Sequence, residues 1–586
     1  MMLKYSLIYF IGIIIVLIVT TAGFIVFNKL PLFESVSKRK SFFSIVALSS
    51  ILYVIIFSAM KDFTVLSHHS YVDFAGYLEI FNNFANGKGL FLSMQENFVS
   101  GTGNWLSTHF TPIAYVFGFL FKLFPSFHTI NWAQTILLAS SVIILYLFAK
   151  PKIGDFSAFC ISLALLLNPT FQYITLYEFD FLRFIIPIGM LTLGVAMQKD
   201  ANIWAVLACC ALSLLVREDT AFFVFGIGFY IAVFQEKRAL GSGIMALSLI
   251  YLIAVLKVIM PAFRGDGGSV NVAAGSFSEF GSAPVEIIKN VLLHPIKLIA
   301  HLFHPHKSIN YFMYLLPFSF VPVFGFKVLV IALPSAIFLA FSSSVTHSSY
   351  FLYYVSPILV AVVWAAVEGV NNVAAFSDKH PRFMAFLRLK FRITKERAAF
   401  AVLCGSLASA VYFGPSPFSI QFWNKDFSLA PFRTNTFNIT RYQPTSHDEI
   451  IRKVAKLIPE NVSISAEQFL LQDVYKSKSI YIFPWIDGAE YIFIDKQNPI
   501  KTGTGSIPGS WDGLRQYPQF YYDWIERRQD VFELVASEEG IFLYKRKSDA
   551  LPYPQPFEIP PGINVTNAEV ENAKANYQKR INLKTK

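Results

Sequence analysis

Residues 68–89 read HHSYVDFAGYLEIFNNFANGKG, and they follow a membrane-length apolar stretch. The polar residues of this stretch, His68, His69, Asp73 and Glu79 among them, line the outer mouth of a helical bundle, and Asp73 is the candidate base. Lys88 lies in a GKG too short to wrap a phosphate, so a turn touching lipid phosphate suits it better. Three more polar clusters interrupt apolar sequence: YEFDFLR (177–183), REDT (217–220) and THSSYFLYY (346–354). Glu178, Asp180, Arg183, Arg217, Glu218 and Asp219 fall in the first two. Charged groups at membrane depth are costly and usually face a cavity. These separate polar clusters therefore point to one outer-facing site. The plainer readings are a helix cap for Asp73, a snorkelling Arg183, and an Arg217–Glu218 ion pair that fixes packing.

The elements that position these residues are helices in a bilayer. The chain has 586 residues, and only 15% are charged, against roughly 25% in soluble proteins. Apolar segments lie near 5–27, 42–60, 128–149, 156–172, 184–198, 203–216, 220–234, 243–260, 311–325, 328–342, 351–368 and 397–413. This pattern predicts a mainly α, polytopic transmembrane bundle of about 12 spans. Residues 111–124 read as a re-entrant or interfacial helix.

The net charge of +11 does not point to nucleic acid. The basic residues sit in short loops such as 29–40, 150–152, 235–238 and 378–397, as the positive-inside rule expects of cytoplasmic loops. Both chain ends then lie outside. The four cysteines, Cys160, Cys209, Cys210 and Cys404, all fall in apolar segments.

The domain reading is 1–413 for the membrane bundle, with outer loops at 61–127 and 261–310. An extracytoplasmic α/β domain at 414–550 and a polar tail at 551–586 follow. In the second loop Glu286, Asn290, His294, Lys297, His301 and His304 share one helical stripe, which suits an interfacial helix better than a metal site. In the α/β domain SHDEIIRKVAKLI reads as an amphipathic helix. NVSISAEQ, SIYIF and AEYIFID read as strands, and VFELVASEEGIFLYKRK as a hairpin turning at Glu539–Gly540.

The early loop, then STHFTPIAYVF, NPTFQYITLYEFDFLRFIIP and LVREDTAFF, resemble a bacterial family of membrane proteins defined as a domain of unknown function. That family is in turn similar to the GT-C glycosyltransferases. The resemblance covers roughly residues 63–545. It implies sugar transfer from a polyprenyl-phosphate carrier on the outer face of a bacterial inner membrane, to a protein or glycan acceptor. It implies that Asp73 is the base and that Glu178 and Asp180 are second-loop acids orienting the acceptor or holding Mg²⁺ or Mn²⁺. Arg183 and Arg217 would bind phosphate, supported by His109, Glu218 and Asp219. The family's Asp-Phe-His is Glu178-Phe179-Asp180 here, so any role of that histidine falls away. The competing readings are a transporter or carrier-lipid binding protein, and a scaffold for envelope assembly.

Overall fold

The computed structural model describes residues 2–27, 42–70, 72–94, 102–264, 279–281, 284–344, 346–380, 393–427, 429, 437–483, 486, 488–497 and 518–547. The basic loop at 29–40, most of 378–397, the glycine-rich start of the second loop and the tail 551–586 lie outside them.

Among the described residues seven helices are long and apolar enough to cross a membrane, or up to eight if the bent pair Asp155–Leu167 and Pro169–Leu176 is one span. Four shorter apolar helices accompany them: Ala114–Leu123, Leu182–Ala196, Ile203–Leu214 and Thr220–Phe234. The expected total of about twelve counts three of these, and length alone does not decide them. Peripheral and central spans differ as a bundle requires. Leu7–Ile25 and Arg238–Arg264 are 22% buried, whereas Tyr353–Lys379 is 67% buried. Exposed apolar rows such as Leu48, Ile51 and Ile55 suit lipid and not water.

One expected boundary moves. The spans drawn at 311–325 and 328–342 meet instead at Ser319 and Phe320, both left-handed with φ 54° and 58°. Pro317 and Pro322 flank them and stop a regular helix on either side. The chain descends from Pro305 and climbs back through Val321–Phe341. Lys307 Nζ donates to Ala340 O at 2.7 Å, while Phe324 O accepts from Asn372 at 2.8 Å near the far end of Tyr353–Lys379. The single polar stripe expected over 286–304 is likewise divided, by Pro295 and Pro305, among the helices Pro284–Leu293, Pro295–Leu302 and Pro305–Leu315.

The returning elements pack by close backbone approach. A Cβ on Gly369 would lie 2.2 Å from Val321 O, and one on Gly325 would lie 2.1 Å from Ala365 O. Helices in lipid associate through such small-residue contacts. Gly369→Leu is therefore expected to pry the two apart, costing about 1–3 kcal/mol or more. Thermal unfolding of the detergent-solubilised variant reads the loss, and an unchanged midpoint would contradict the contact.

The described basic loops gather at one end. Lys152 Nζ reaches Met197 O at 3.0 Å, and Lys395 Nζ reaches Lys152 O at 3.3 Å. The opposite end carries a five-stranded sheet of order β2-β1-β3-β5-β4. Its strands are β1 (Ser463–Ala466), β2 (Ser479–Ile482), β3 (Tyr491–Asp495), β4 (Phe532–Glu538) and β5 (Ile541–Arg546). β1 pairs in parallel with β2 and β3, and β5 pairs antiparallel with β3 and β4. The β4–β5 turn falls at Glu539–Gly540, with φ 42° and 85°, a two-residue hairpin that needs positive φ at both positions. The helix over SHDEIIRKVAKLI runs Ser446–Ala455 behind a Thr445–Asp448 capping box. The first helix starts at the sheet's end of the bundle, because Tyr9 Oη donates to Leu429 O at 3.0 Å.

The sheet unit is fastened to the bundle at His68. Its Nδ1 lies 2.8 Å from Asp448 and its Nε2 2.9 Å from Asp473. Burial works against a charge here, but the two carboxylates outweigh it and lift the imidazole to about 9. The ring is therefore a cation at neutral pH, held between two acids. Gln472 Nε2 donates to Val65 O at 2.6 Å, and Ser67 Oγ to Arg441 O at 2.6 Å.

Candidate active site at the bundle mouth

Three short pieces of backbone converge at this end. The bent pair kinks by 49° at Asn168-Pro169, where Asn168 caps the second helix and Pro169 fits its first turn. The kinked arm ends at Tyr177, so Glu178 and Asp180 sit in the bend before Leu182–Ala196. The helix Val72–Ala85 carries Asp73 in its first turn, where a helix N-terminus favours an anion. Arg217, Glu218 and Asp219 form the tight connection between Ile203–Leu214 and Thr220–Phe234.

Asp180 is the hub. Its Oδ1 accepts from Leu182 N at 2.7 Å and lies 3.4 Å from Arg217 Nη1, and its Oδ2 accepts from Tyr77 Oη at 3.1 Å. Arg217 grips Asp219 through Nε at 2.9 Å and through Nη2. Glu178 accepts from Phe74 N at 3.3 Å. Glu218 turns to the first loop, facing His109 Nδ1 at 2.8 Å and Phe110 N at 2.9 Å. The ion pair considered from sequence, Arg217 with Glu218, is replaced by Arg217 with Asp219 and Asp180. Adjacent residues in a tight turn point apart, so each found a partner elsewhere.

Asp73 differs from the other acids. Its side chain is exposed within a recess that protein walls in. Loss of surrounding water raises its pKa to about 6, Asp180 repels its charge, and His109 partly offsets both. Asp73, Asp180, His109 and Arg217 therefore sense one another across one mouth. Burial also disfavours charge on His109, yet Glu218 keeps its pKa above the ordinary value. His347 is pushed down to about 4, first by burial and then by Arg217, and it stacks edge-on against Tyr354 at 4.5 Å.

Arg183 is fully buried. Its Nη1 donates to Ile174 O at 2.7 Å and Tyr177 O at 2.9 Å. Its Nε and Nη2 have no partner among the described residues. Tyr353 lies 5.4 Å from its guanidinium and 5.9 Å from that of Arg217. Lys61, buried, reaches Tyr177 O at 3.3 Å. Lys88 is not brought into this group. It sits exposed in the turn closing Val72–Ala85, where Gly87 takes φ 79° and Lys88 N bonds Asn83 O at 2.9 Å, a standard glycine helix stop.

Lys61 and Tyr77 were not singled out in the sequence, Lys61 because it follows directly on an apolar run; Tyr353 and Tyr354 fall in the polar cluster 346–354 but had no role assigned. The clue available was their position beside the charged clusters.

Glu178 and Asp180 fit a resident divalent ion poorly. Asp180 spends both oxygens on donors and faces the Arg217 cation, which would repel a metal. Among the described residues no group of three or more His, Cys, Asp or Glu is placed to hold one.

A family model described as predicted membrane protein, DUF2079, matches residues 66–502, three quarters of the chain. The chain belongs to this family. No curated protein matches it in sequence. Among solved structures, similarity extends to ArnT from Cupriavidus metallidurans bound to undecaprenyl phosphate. There the identity is 13%, the TM-score is 0.48, and 85% of this chain and 98% of that chain are covered. The apo ArnT of the same organism gives 12%, 0.44, 85% and 98%. The archaeal oligosaccharyltransferase AglB from Archaeoglobus fulgidus, in complex with an inhibitory peptide and a dolichol-phosphate, gives 12%, 0.35, 87% and 75%. With TM-scores below 0.5, the reading of the site rests on its own residues.

Proposed function

We propose that the protein is a membrane glycosyltransferase. It moves a sugar from a polyprenyl-phosphate carrier to a hydroxyl acceptor at the mouth described above. The observation that carries this reading is a pairing of opposites. A solvent-reaching carboxylate with a raised proton affinity, Asp73, stands at one end of a polar cluster in which the fully buried Arg183, packed beside the Tyr353 ring as Arg217 is, keeps two N–H donors unmet. Sugar transfer off a phosphate requires both. The acceptor oxygen gives its proton to Asp73 as it attacks the anomeric carbon. The bond from that carbon to the phosphate oxygen breaks, and the electron pair leaves with the phosphate. Arg183, with Lys61 close by, receives the charge that develops there. Arg217 has its donors engaged by Asp219 and Asp180, so it suits holding the acids in place better than gripping the phosphate. Glu178 and Asp180 would orient the acceptor, while His109, Glu218 and Asp219 brace the first and second loops.

In this reading the protein sits in a bacterial inner membrane. The basic loops face the cytoplasm, and the sheet unit, the domain 414–550 expected from sequence, stands outside with the mouth. An external protein or glycan would be the acceptor. The early loop, the His109-Phe110 motif and the Arg217-Glu218-Asp219 turn resemble the family of unknown function, and that family's likeness to the GT-C glycosyltransferases supports the same reaction class.

The test is transfer of labelled sugar from a polyprenyl-phosphate donor by the purified protein in lipid. Release of carrier phosphate together with sugar on an acceptor is the expected result. Carrier lipid bound or moved across a bilayer, with no transfer, would replace this reading with that of a carrier-lipid transporter.

A further inference from the structure

Where the sheet unit meets the bundle, the fold encloses a cavity of about 460 Å³, within the size range of small-ligand sites. It shares no residue with the Asp73 mouth. Its floor is apolar: Val65 and Leu66 end the span Phe43–Leu66, and Phe127 begins the span Phe127–Ile153. The cavity therefore opens at the depth where a bilayer's headgroups lie. Its lining carries three cations, Arg452 and, one turn on at the end of the same helix, Lys456, together with Lys476. Arg452 is anchored by donating to Leu66 O. Lys456 and Lys476 are exposed, and among the described residues neither forms an ion pair. Of the two acids in the lining, Asp473 is already engaged by His68, and Glu460 is exposed.

Apolar side chains border the same place. Tyr475, in the lining, packs edge-on against Phe121 of Ala114–Leu123 at 6.3 Å. That ten-residue helix leaves Phe119 and Leu123 exposed, as is Phe124 just after it, as a helix lying in the interface does. At about 1.5 Å per residue it is too short to cross a 30 Å core.

We infer that this cavity binds the phosphate headgroup of an anionic membrane lipid, and so couples the sheet unit to the outer leaflet. The charge, the depth and the apolar floor each fit an amphiphile: phosphate among Arg452, Lys456 and Lys476, and the acyl chains running down beside the two spans. A free phosphate would use the cations and leave the floor without a purpose.

Native mass spectrometry of the full-length protein, titrated with phosphatidylglycerol or phosphatidylcholine, tests the inference. The expected result is preferential retention of phosphatidylglycerol, falling about fivefold for each of Lys456→Gln and Lys476→Gln. Lys453→Gln, on the same helix but paired with Glu538, is the control that keeps retention unchanged. Equal retention of both lipids, or loss in the control as large as in the two variants, overturns the proposal. Displacement of phosphatidylglycerol by millimolar inorganic phosphate also overturns it, because the site would then be one for a soluble anion. Sugar-transfer activity enters none of these readouts, so the test stands apart from the proposed reaction.

Discussion

Asp73→Asn protein is expected to insert, fold and hold its carrier lipid, yet to transfer sugar about 10²–10⁴-fold more slowly than wild type. The amide matches the carboxylate in shape and keeps its place in the first turn of Val72–Ala85, so packing is not disturbed. It cannot accept the acceptor's proton. Arg183 and Lys61 remain to hold the leaving phosphate, so carrier binding survives. The pH profile carries a second signature. A base works only when ionised, and the Asp73 pKa is raised to about 6. Wild-type kcat/KM is therefore expected to rise with pH through about 6 and then level off. The variant should show a low, flat profile across that window. Unchanged transfer by Asp73→Asn, or a wild-type rate indifferent to pH between 5 and 7, would remove Asp73 from the role.

Arg217→Ala tests a different quantity. Arg217 is a buried cation set between Asp219 and Asp180. Removing it leaves two carboxylates facing each other in a desolvated turn, and breaking a buried pair from one side costs about 3–5 kcal/mol. The expected outcome is a large fall in the unfolding midpoint in detergent, with lost activity as a consequence. Arg217→Met combined with Asp219→Asn should recover much of the stability, because no uncompensated charge is left at Asp219. A single variant that melts like wild type would show that the guanidinium does not organise these acids.

Much of this arrangement was legible because two kinds of sequence signal are strong. Long apolar runs mark the spans, and the short β-branched and aromatic runs in SIYIF and AEYIFID mark strands that the sheet contains. The Glu539–Gly540 turn announced itself through flanking strand pattern and a glycine. Asp73, Asp180 and Arg217 stood out because an ion at membrane depth needs a reason. Partner choice was not legible. Whether Arg217 takes Glu218 or Asp219 depends on which way a tight turn points each side chain, and composition does not hold that. Tyr353 and Tyr354 stood in a polar cluster, but that their rings would lie over Arg183 and Arg217 depends on packing that the sequence does not hold. The shift of one span boundary to Ser319–Phe320 has a similar cause: two residues adopted left-handed backbone that their side chains do not favour. Lys88 drew attention by its glycines, which turned out to serve the end of a helix.

The His68 clamp sets an order on how the protein comes to be. Its two carboxylates lie 380 and 405 residues further along the chain. While the ribosome is still feeding spans into the bilayer, neither acid exists yet. The first loop must wait with an unclamped histidine until the last span has been threaded and the segment beyond it has reached the same end of the bundle. The junction between bundle and sheet unit is thus completed only after the last span is made. A chain stopped after residue 413 would hold every charged group of the mouth while leaving His68 without either of its acids.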